Sequence, residues 1–217
     1  AHEIGNPLAA VQGYLSLMES GLPEKDERDA RRRSLAEIDR IHGTIKKLLA
    51  YARGGETSEE PRRPFSTQRA IEEAIALVRG HPAMRDVEIE NAAGVGDACD
   101  VDGHAGALHQ VLVNLLLNAA QALASTNDRK IWIGRAVKDD LVELSVRDNG
   151  PGISTDDIER VFDPFYTTKE PGEGTGLGLA VSRAIMEAMD GDLSVTSTRG
   201  KGACFVARVP RTPKAGE

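Results

Sequence analysis

Apolar side chains in the first 53 residues return in strict steps of three and four. Ile4, Leu8, Val11, Leu15, Met18 and Leu22 are spaced 4, 3, 4, 3 and 4, and Leu35, Ile38, His42, Ile45, Leu49 and Ala52 are spaced 3, 4, 3, 4 and 3. Heptad seams of this kind belong to helices that pack along one another. Between them "SGLPEKDE" holds Gly21 and Pro23, which turn the chain. Residues 1–53 therefore read as a helical hairpin. Two such helices cannot bury both seams together with the flanking Ile41 and Leu48, whereas two hairpins can, as a four-helix bundle. A homodimer is the expected state.

The grammar changes after the hairpin. "RGGETSEEPRRP" is polar and rich in Gly and Pro, as a linker is. The expected organisation is a hairpin over 1–53, a linker over 54–64, a second domain over 65–211 and a tail over 212–217. Residues 67–79 read as a helix, "VEIENA" and "ACDVD" as strands, and 104–124 as a long apolar helix. "KIWIGRAV" and "LVELSVRD" form a hairpin across Lys138, Asp139 and Asp140. A helix follows at about 176–189, and "DLSVTST" with "ACFVARV" make a second hairpin. The second domain is thus an α/β layer pair with a mostly antiparallel sheet and helices on one face.

Composition narrows the function classes. With 40% apolar and only 4% aromatic residues, the core must be aliphatic. A net charge of −7 argues against nucleic acid as a partner. The one basic run, Arg31 to Arg33, suits a solvated helix face. Cys99 and Cys204 have no metal-ligand spacing and fit a reducing compartment. No apolar run approaches the length of a membrane span, so no membrane contact is expected of this stretch. Without an initiator Met or signal peptide, it is expected to be a cytoplasmic fragment of a longer protein whose own anchoring stays open.

Four features carry chemistry. On the helix at 104–124, Gln110, Asn114, Asn118 and Gln121 share one face. Asn is a poor helix former, and its neutral amide oxygen suits Mg²⁺ beside phosphate. In "RDNGPGI", Asp148 ends a strand before Gly150 and Gly152, where a carboxylate can accept from an exocyclic amine; taken alone, the stretch reads more readily as a plain Asp-Asn-Gly turn. "KEPGEGTGLGLAV" alternates Gly172, Gly174, Gly176 and Gly178 before a helix, exposing backbone N–H groups to a phosphate. Neither a Gly-Lys-Ser/Thr loop nor the dinucleotide fingerprint is present. In "VFDPFYTTK", Phe162 and Phe165 can pin a mobile lid, and Thr167, Thr168 and Lys169 add hydroxyls and a cation.

In this order and spacing, the features resemble the N, G1, F and G2 boxes of the ATP-binding domain of sensor histidine kinases, in the superfamily of gyrase, MutL and the heat-shock chaperones. The opening "HEIGNPL" resembles the same family's H-box, so the resemblance spans essentially the whole chain. "NLLLNAAQAL" and "FDPFYTTK" look most like the nitrogen-regulation subgroup. The resemblance implies a dimeric four-helix bundle followed by a two-layer α/β sandwich of the Bergerat type, using Mg²⁺ and ATP. It implies His2 as phospho-acceptor, Asn118 as Mg²⁺ ligand with Asn114 near the phosphates, and Asp148 on the adenine amine. Gly150 and Gly152 let backbone approach the base. Phe165, Thr168, Lys169, Gly174, Thr175, Gly176, Leu177 and Gly178 make up the lid region. Three features depart from the family: Gln121 stands where many members have Lys or Arg, which leaves Lys169 as the candidate phosphate cation. Ala203 replaces a common hydroxyl. The first helix lacks its usual upstream extension.

The resemblance also gives the opening stretch a use. With Leu8 and Leu15 at heptad position a, His2, Glu3 and Asn6 lie off the seam. Ala9 and Gly13 continue that face with small side chains, leaving room for a docking protein. A neutral His2 can attack a phosphoryl group, Glu3 can hold its other ring N–H, and Asn6 can position a water. Pro7 removes the helical partner of the Glu3 carbonyl and reads as a flex point, or as a proline tolerated in a first turn. His42 reads as a core histidine, and His81, His104 and His109 lack ligand spacing. The expected activity is autophosphorylation of His2 and transfer to an Asp of a response-regulator receiver domain, with phospho-regulator phosphatase activity beside it. Two rival readings stay open: a non-kinase ATPase of the same superfamily, and a non-catalytic dimeric scaffold for regulators.

Overall fold

The computed structural model describes residues 2–21, 23–52, 62–93, 100–169 and 176–212, without the side chains of 2–4, 24, 40, 42, 44–52 and 100. The chain divides into two compact units, Ala1–Tyr51 and Ala52–Glu217.

The first unit is a hairpin of α1 (His2–Glu19) and α2 (Glu24–Ala52). Gly21, at φ 85°, turns the chain after α1. The Pro23 carbonyl then accepts from Asp26 and Glu27 at 2.8 and 3.0 Å, which starts α2. Packing splits the seam that the periodicity suggests. Pro7 and Val11 are buried with Ala30, Ser34 and Ile41 of α2, while Leu8 and Leu15 stay 49% exposed. Leu35 and Ile38 are exposed as well, at 57% and 38%. The hairpin thus uses one stripe, where small Ala30 and Ser34 let the helices approach. A second, leucine-rich stripe lies beside it. The seam positions Leu22, His42, Ile45 and Leu49 lie outside the described residues or side chains.

The second unit runs β1 (Arg63–Ser66), α3 (Thr67–Val78), a 3-10 turn at Pro82–Met84, β2 (Val87–Asn91), β3 (Asp100–Gly103), α4 (Ala105–Ala122), β4 (Arg129–Lys138), β5 (Leu141–Asp148), α5 (Thr155–Ile158), α6 (Gly178–Ala188), β6 (Asp192–Ser197) and β7 (Ala203–Pro210). The main sheet is five-stranded in the order β2-β4-β5-β7-β6, antiparallel except where β2 meets β4. Burial alternates strictly along β7, so one face of the sheet is apolar. Onto that face pack Ile71, Ala74 and Val78 of α3, Leu108, Val111, Leu112 and Leu115 of α4, and Ile185 and Met186 of α6. The result is a two-layer α/β sandwich, as the sequence suggests.

Three elements go beyond that reading. The stretch read as linker ends in β1, which pairs with β3 as a small separate sheet. Arg62, just before it, bonds Asp190 at 2.8 Å and lies 3.5 Å from Asp102. The β4–β5 connection closes at Asp139–Asp140, with Asp139 left-handed at φ 52°, and Lys138 belongs to β4. The later helix starts at Gly178. Among the described residues no helix is long and apolar enough to cross a membrane.

Candidate functional site

The polar stripe of α4 faces protein on part of its length. Asn114 donates through Nδ2 to the Ser182 hydroxyl of α6 at 2.8 Å. Its Oδ1 lies against Gly178, where a Cβ would come within 2.5 Å. Asn114 therefore locks α4 to the start of α6, and Gly178 is glycine because the amide occupies that space. Asn118, one turn on, is half-buried, and among the described residues no hydrogen bond engages its amide. Gln121 is exposed and accepts from the Lys169 ammonium.

Asp148 ends β5 and is only 3% exposed. Its Oδ1 accepts from the backbone N–H of Gly150 at 2.8 Å and of Ala203 at 3.3 Å. Burial pushes its carboxyl above the ordinary value, and the two backbone donors oppose that rise. The surrounding loops approach too closely for side chains. A Cβ on Gly152 would lie 2.4 Å from the Thr198 carbonyl oxygen, and one on Gly202 would lie 1.9 Å from that of Asp148. Ser197 ties the pocket wall together, accepting from Ile153 N at 2.8 Å and donating to the Gly202 carbonyl at 2.7 Å. Asn149 clamps the start of β4 through Lys130 N at 2.9 Å and the Asp128 carbonyl at 2.6 Å.

Gly202 gives a direct test of this packing. Gly200 and Gly202 are both left-handed, at φ 81° and 83°, yet a Cβ on Gly200 meets nothing within 4 Å. Gly200→Ala is expected to cost about 1 kcal/mol, the strain of a left-handed alanine. Gly202→Ala adds a collision with backbone and should cost roughly 3 kcal/mol or more. Urea unfolding midpoints of the two variants check the ordering.

The segment after α5 holds the two phenylalanines differently. Phe162 sits edge-on to Phe205 of the core, with centroids 6.4 Å apart, and carries the Arg183 guanidinium 5.2 Å above its ring. Phe165 is 39% exposed and left-handed at φ 67°. Its N–H donates to the Gly176 carbonyl at 2.9 Å, and a Cβ on Gly176 would lie 2.3 Å from the Phe165 carbonyl carbon. Only Phe162 is thus an anchor in the core. Next to it lies a network absent from the sequence reading. Tyr166 donates to Asp157, which also accepts from Ser154 at 2.6 Å, while Arg160 lies 4.3 Å from the Tyr166 ring centroid. The Ser154 and Tyr166 hydrogen bonds hold the Asp157 carboxyl below its usual range. The pattern Ser154-x-x-Asp157 ahead of a helix is a capping signature that could have revealed half of it.

Leu177 precedes α6, and Thr168 is exposed. Gly172, Gly174 and Thr175 lie outside the described residues, as do the side chains of His2 and Glu3. Asn6 is exposed on α1. Asp148, Gly150 and Gly152 are brought together with Gly202 and Ala203, while Asn114, Gly178, Gln121 and Lys169 join α4 to the loops that follow it.

Comparison with known proteins agrees with this layout. The family described as histidine kinase-, DNA gyrase B- and HSP90-like ATPase matches residues 103–213, and the His Kinase A (phospho-acceptor) domain matches residues 1–57. The chain belongs to the sensor histidine kinases, as a phospho-acceptor domain followed by an ATPase domain. It is 33% identical to the signal transduction histidine-protein kinase AtoS of Escherichia coli (strain K12), over 100% of this chain and 34% of that protein. The chain spans about a third of the length of AtoS and of another curated relative it matches, the C4-dicarboxylate transport sensor protein DctB of Pseudomonas aeruginosa. Full-length ShkA in complex with AMPPNP aligns with a TM-score of 0.66 at 25% identity, over 99% of this chain and 45% of that one. The histidine kinase ThkA in complex with response regulator protein TrrA aligns with a TM-score of 0.61 at 26% identity, over 99% of this chain and 60% of that one.

Proposed function

We propose that these two units form the catalytic core of a kinase that phosphorylates its own His2 from Mg·ATP, passes the phosphoryl group to an aspartate of a response-regulator receiver domain, and dephosphorylates that regulator. The observation that carries the reading is Asp148, a buried carboxylate fixed by two backbone N–H groups in a cradle of glycines. Such a group recognises an amine donor such as that of adenine. Asn118 offers a neutral amide oxygen of the kind Mg²⁺ takes beside phosphate, and its lack of a partner among the described residues suits that use. Bound Mg·ATP supplies the phosphoryl group. A His2 ring nitrogen bonds the γ-phosphorus as the bond to the bridging oxygen breaks and ADP leaves, while Glu3 holds or takes the other ring proton. The structures of ShkA with AMPPNP and of ThkA with TrrA support the nucleotide and the regulator as partners. The motifs "HEIGNPL", "NLLLNAAQAL" and "FDPFYTTK" favour the nitrogen-regulation subgroup. The two cysteines, without metal-ligand or disulfide-framework spacing, suit a reducing, cytoplasmic site of action for this stretch, whether or not the longer protein is anchored in a membrane.

The test is incubation with γ-labelled ATP, followed by acid and base treatment of the labelled protein. A phosphohistidine is lost in acid and kept in base. Label that survives acid, or no label at all, overturns the reading.

The leucine-rich stripe of the hairpin supports a homodimer. Leu8, Leu15, Leu35 and Ile38 are partly buried already, and a second copy would cover the remainder. Each leucine completed in this way contributes about 1 kcal/mol per copy. Leu8→Glu with Leu15→Glu is therefore expected to weaken the dimer by about a hundredfold or more, read by sedimentation equilibrium.

A further inference from the structure

We infer that Gln121 is a positioning residue: its side-chain carbonyl seats the Lys169 ammonium beside Asn118, where the cation meets the terminal phosphate of a nucleoside triphosphate. The inference deepens the kinase reading above and rests on it.

Lys169 reaches Gln121 from a segment tied down at several points. Phe162 is set against Phe205, the Phe165 N–H bonds the Gly176 carbonyl at 2.9 Å, and Tyr166 bonds Asp157. The Lys169 N–H itself donates to Thr167 Oγ1 at 3.2 Å. The ammonium then donates to Gln121 Oε1 across 48 positions of sequence. Gln121 stands three residues after Asn118 on the same face of α4, so the cation sits within a turn of the amide assigned to the metal.

The chemistry explains why glutamine suits this place. A lysine ammonium has three N–H donors, and a carbonyl takes one of them without adding charge. A carboxylate at 121 would hold the lysine more tightly but cancel the charge that a phosphate needs, and it would repel the phosphate as well. An apolar side chain would leave a flexible four-carbon stem to search for its place. The contact is exposed, so it adds little to the stability of the fold. Its effect belongs in binding, and in the preference for a triphosphate over a diphosphate.

A double-mutant cycle tests this, using Gln121→Met and Lys169→Met, which keep side-chain length. Affinities for ATP and ADP are measured with Mg²⁺ by direct binding, with KM and kcat for label uptake beside them. Lys169→Met should lose about tenfold in ATP affinity, the range of one charge-assisted hydrogen bond, with ADP changed less than about twofold. Gln121→Met should lose roughly threefold to tenfold for ATP, seen as a raised KM, with an unchanged urea midpoint. In the Lys169→Met background, Gln121→Met should cost nothing further. Gln121→Lys in that background should restore ATP affinity, because it puts an ammonium back at the same point. Losses that multiply independently, or a Gln121→Met protein that binds ATP as the parent does, overturn the role of Gln121. If the parent still binds ATP and takes up acid-labile label, the kinase reading survives that result. A parent that binds no ATP overturns both.

Discussion

Asp148→Asn is expected to weaken nucleotide binding at pH 7 by about a hundredfold or more, and to abolish label uptake, while the protein stays folded. The substitution is isosteric. The asparagine oxygen can still accept from Gly150 and Ala203, which now hold Asp148 Oδ1 at 2.8 and 3.3 Å. That choice leaves the amide nitrogen where the second carboxylate oxygen was. A donor then faces the donor of an incoming amine, in a site that is only 3% exposed. A buried mismatch of this kind costs far more than one ordinary hydrogen bond.

Stability should move the other way or not at all. Burial raises the Asp148 carboxyl above its ordinary value. A group raised in the folded state contributes stability below its unfolded pKa and loses it as pH rises through the folded value. At pH 7 the ionised, buried carboxylate is thus a cost of keeping the site, and the asparagine variant should unfold no earlier than the parent. The same shift sets a pH dependence. Nucleotide affinity should fall as pH drops through the raised value, above the range of an exposed aspartate, because the protonated carboxyl donates where it must accept. The asparagine variant should show no such fall. Isothermal titration with ADP from pH 7 downward, alongside urea unfolding at pH 7, reads all of these. A variant that binds ADP like the parent removes Asp148 from the adenine site.

Residue type and spacing made much of this site legible. Asn114 and Asn118 are poor helix formers inside an otherwise apolar helix, and Asp148 is a carboxylate that ends a strand before two glycines. Each is a locally unfavourable choice, so each pointed to a demand from elsewhere. The sequence could not separate Phe162 from Phe165. One is set against Phe205 and the other is half out on a left-handed backbone, a difference decided by contacts remote in sequence. Gly202 stood in a plain-looking "GKGACF", and its need for glycine comes from the Asp148 carbonyl, on another strand. Strand β1 was hidden because "RPFS" has no alternation and exists by pairing with β3. In the hairpin, a period of 3.5 fits two neighbouring stripes. The burial of Val11 beside the exposure of Leu8 is decided by which stripe meets the small Ala30 and Ser34 of α2, a contact remote in sequence.

The second large effect concerns the first turns of α1. His2→Ala is expected to bind ATP as the parent does and to take up no label, because the acceptor nitrogen is gone while the nucleotide site lies in the other unit. Retained label would move the acceptor elsewhere, with His42 the first alternative. Glu3 and Asn6 should then separate the two halves of the activity. Charge develops on the imidazole during phosphorylation, and a neighbouring carboxylate can accept its proton. Loss of such a base costs about 10²–10⁴-fold, so Glu3→Ala should lose most label uptake. Dephosphorylation of a regulator instead needs a water held in line with an aspartyl phosphate. Asn6 is exposed on α1, one helical turn from His2, beside a Pro7 that is buried in the hairpin. Its amide can donate to and accept from a water, and it brings no charge to repel the phosphate. Asn6→Ala should therefore take up label nearly as the parent does and fail to release phosphate from a phosphorylated regulator. Label on His2 and phosphate release, measured side by side for both variants, decide the matter. If both activities fall together in both, Glu3 and Asn6 do not divide the work, and the helix turn around His2 acts as one unit.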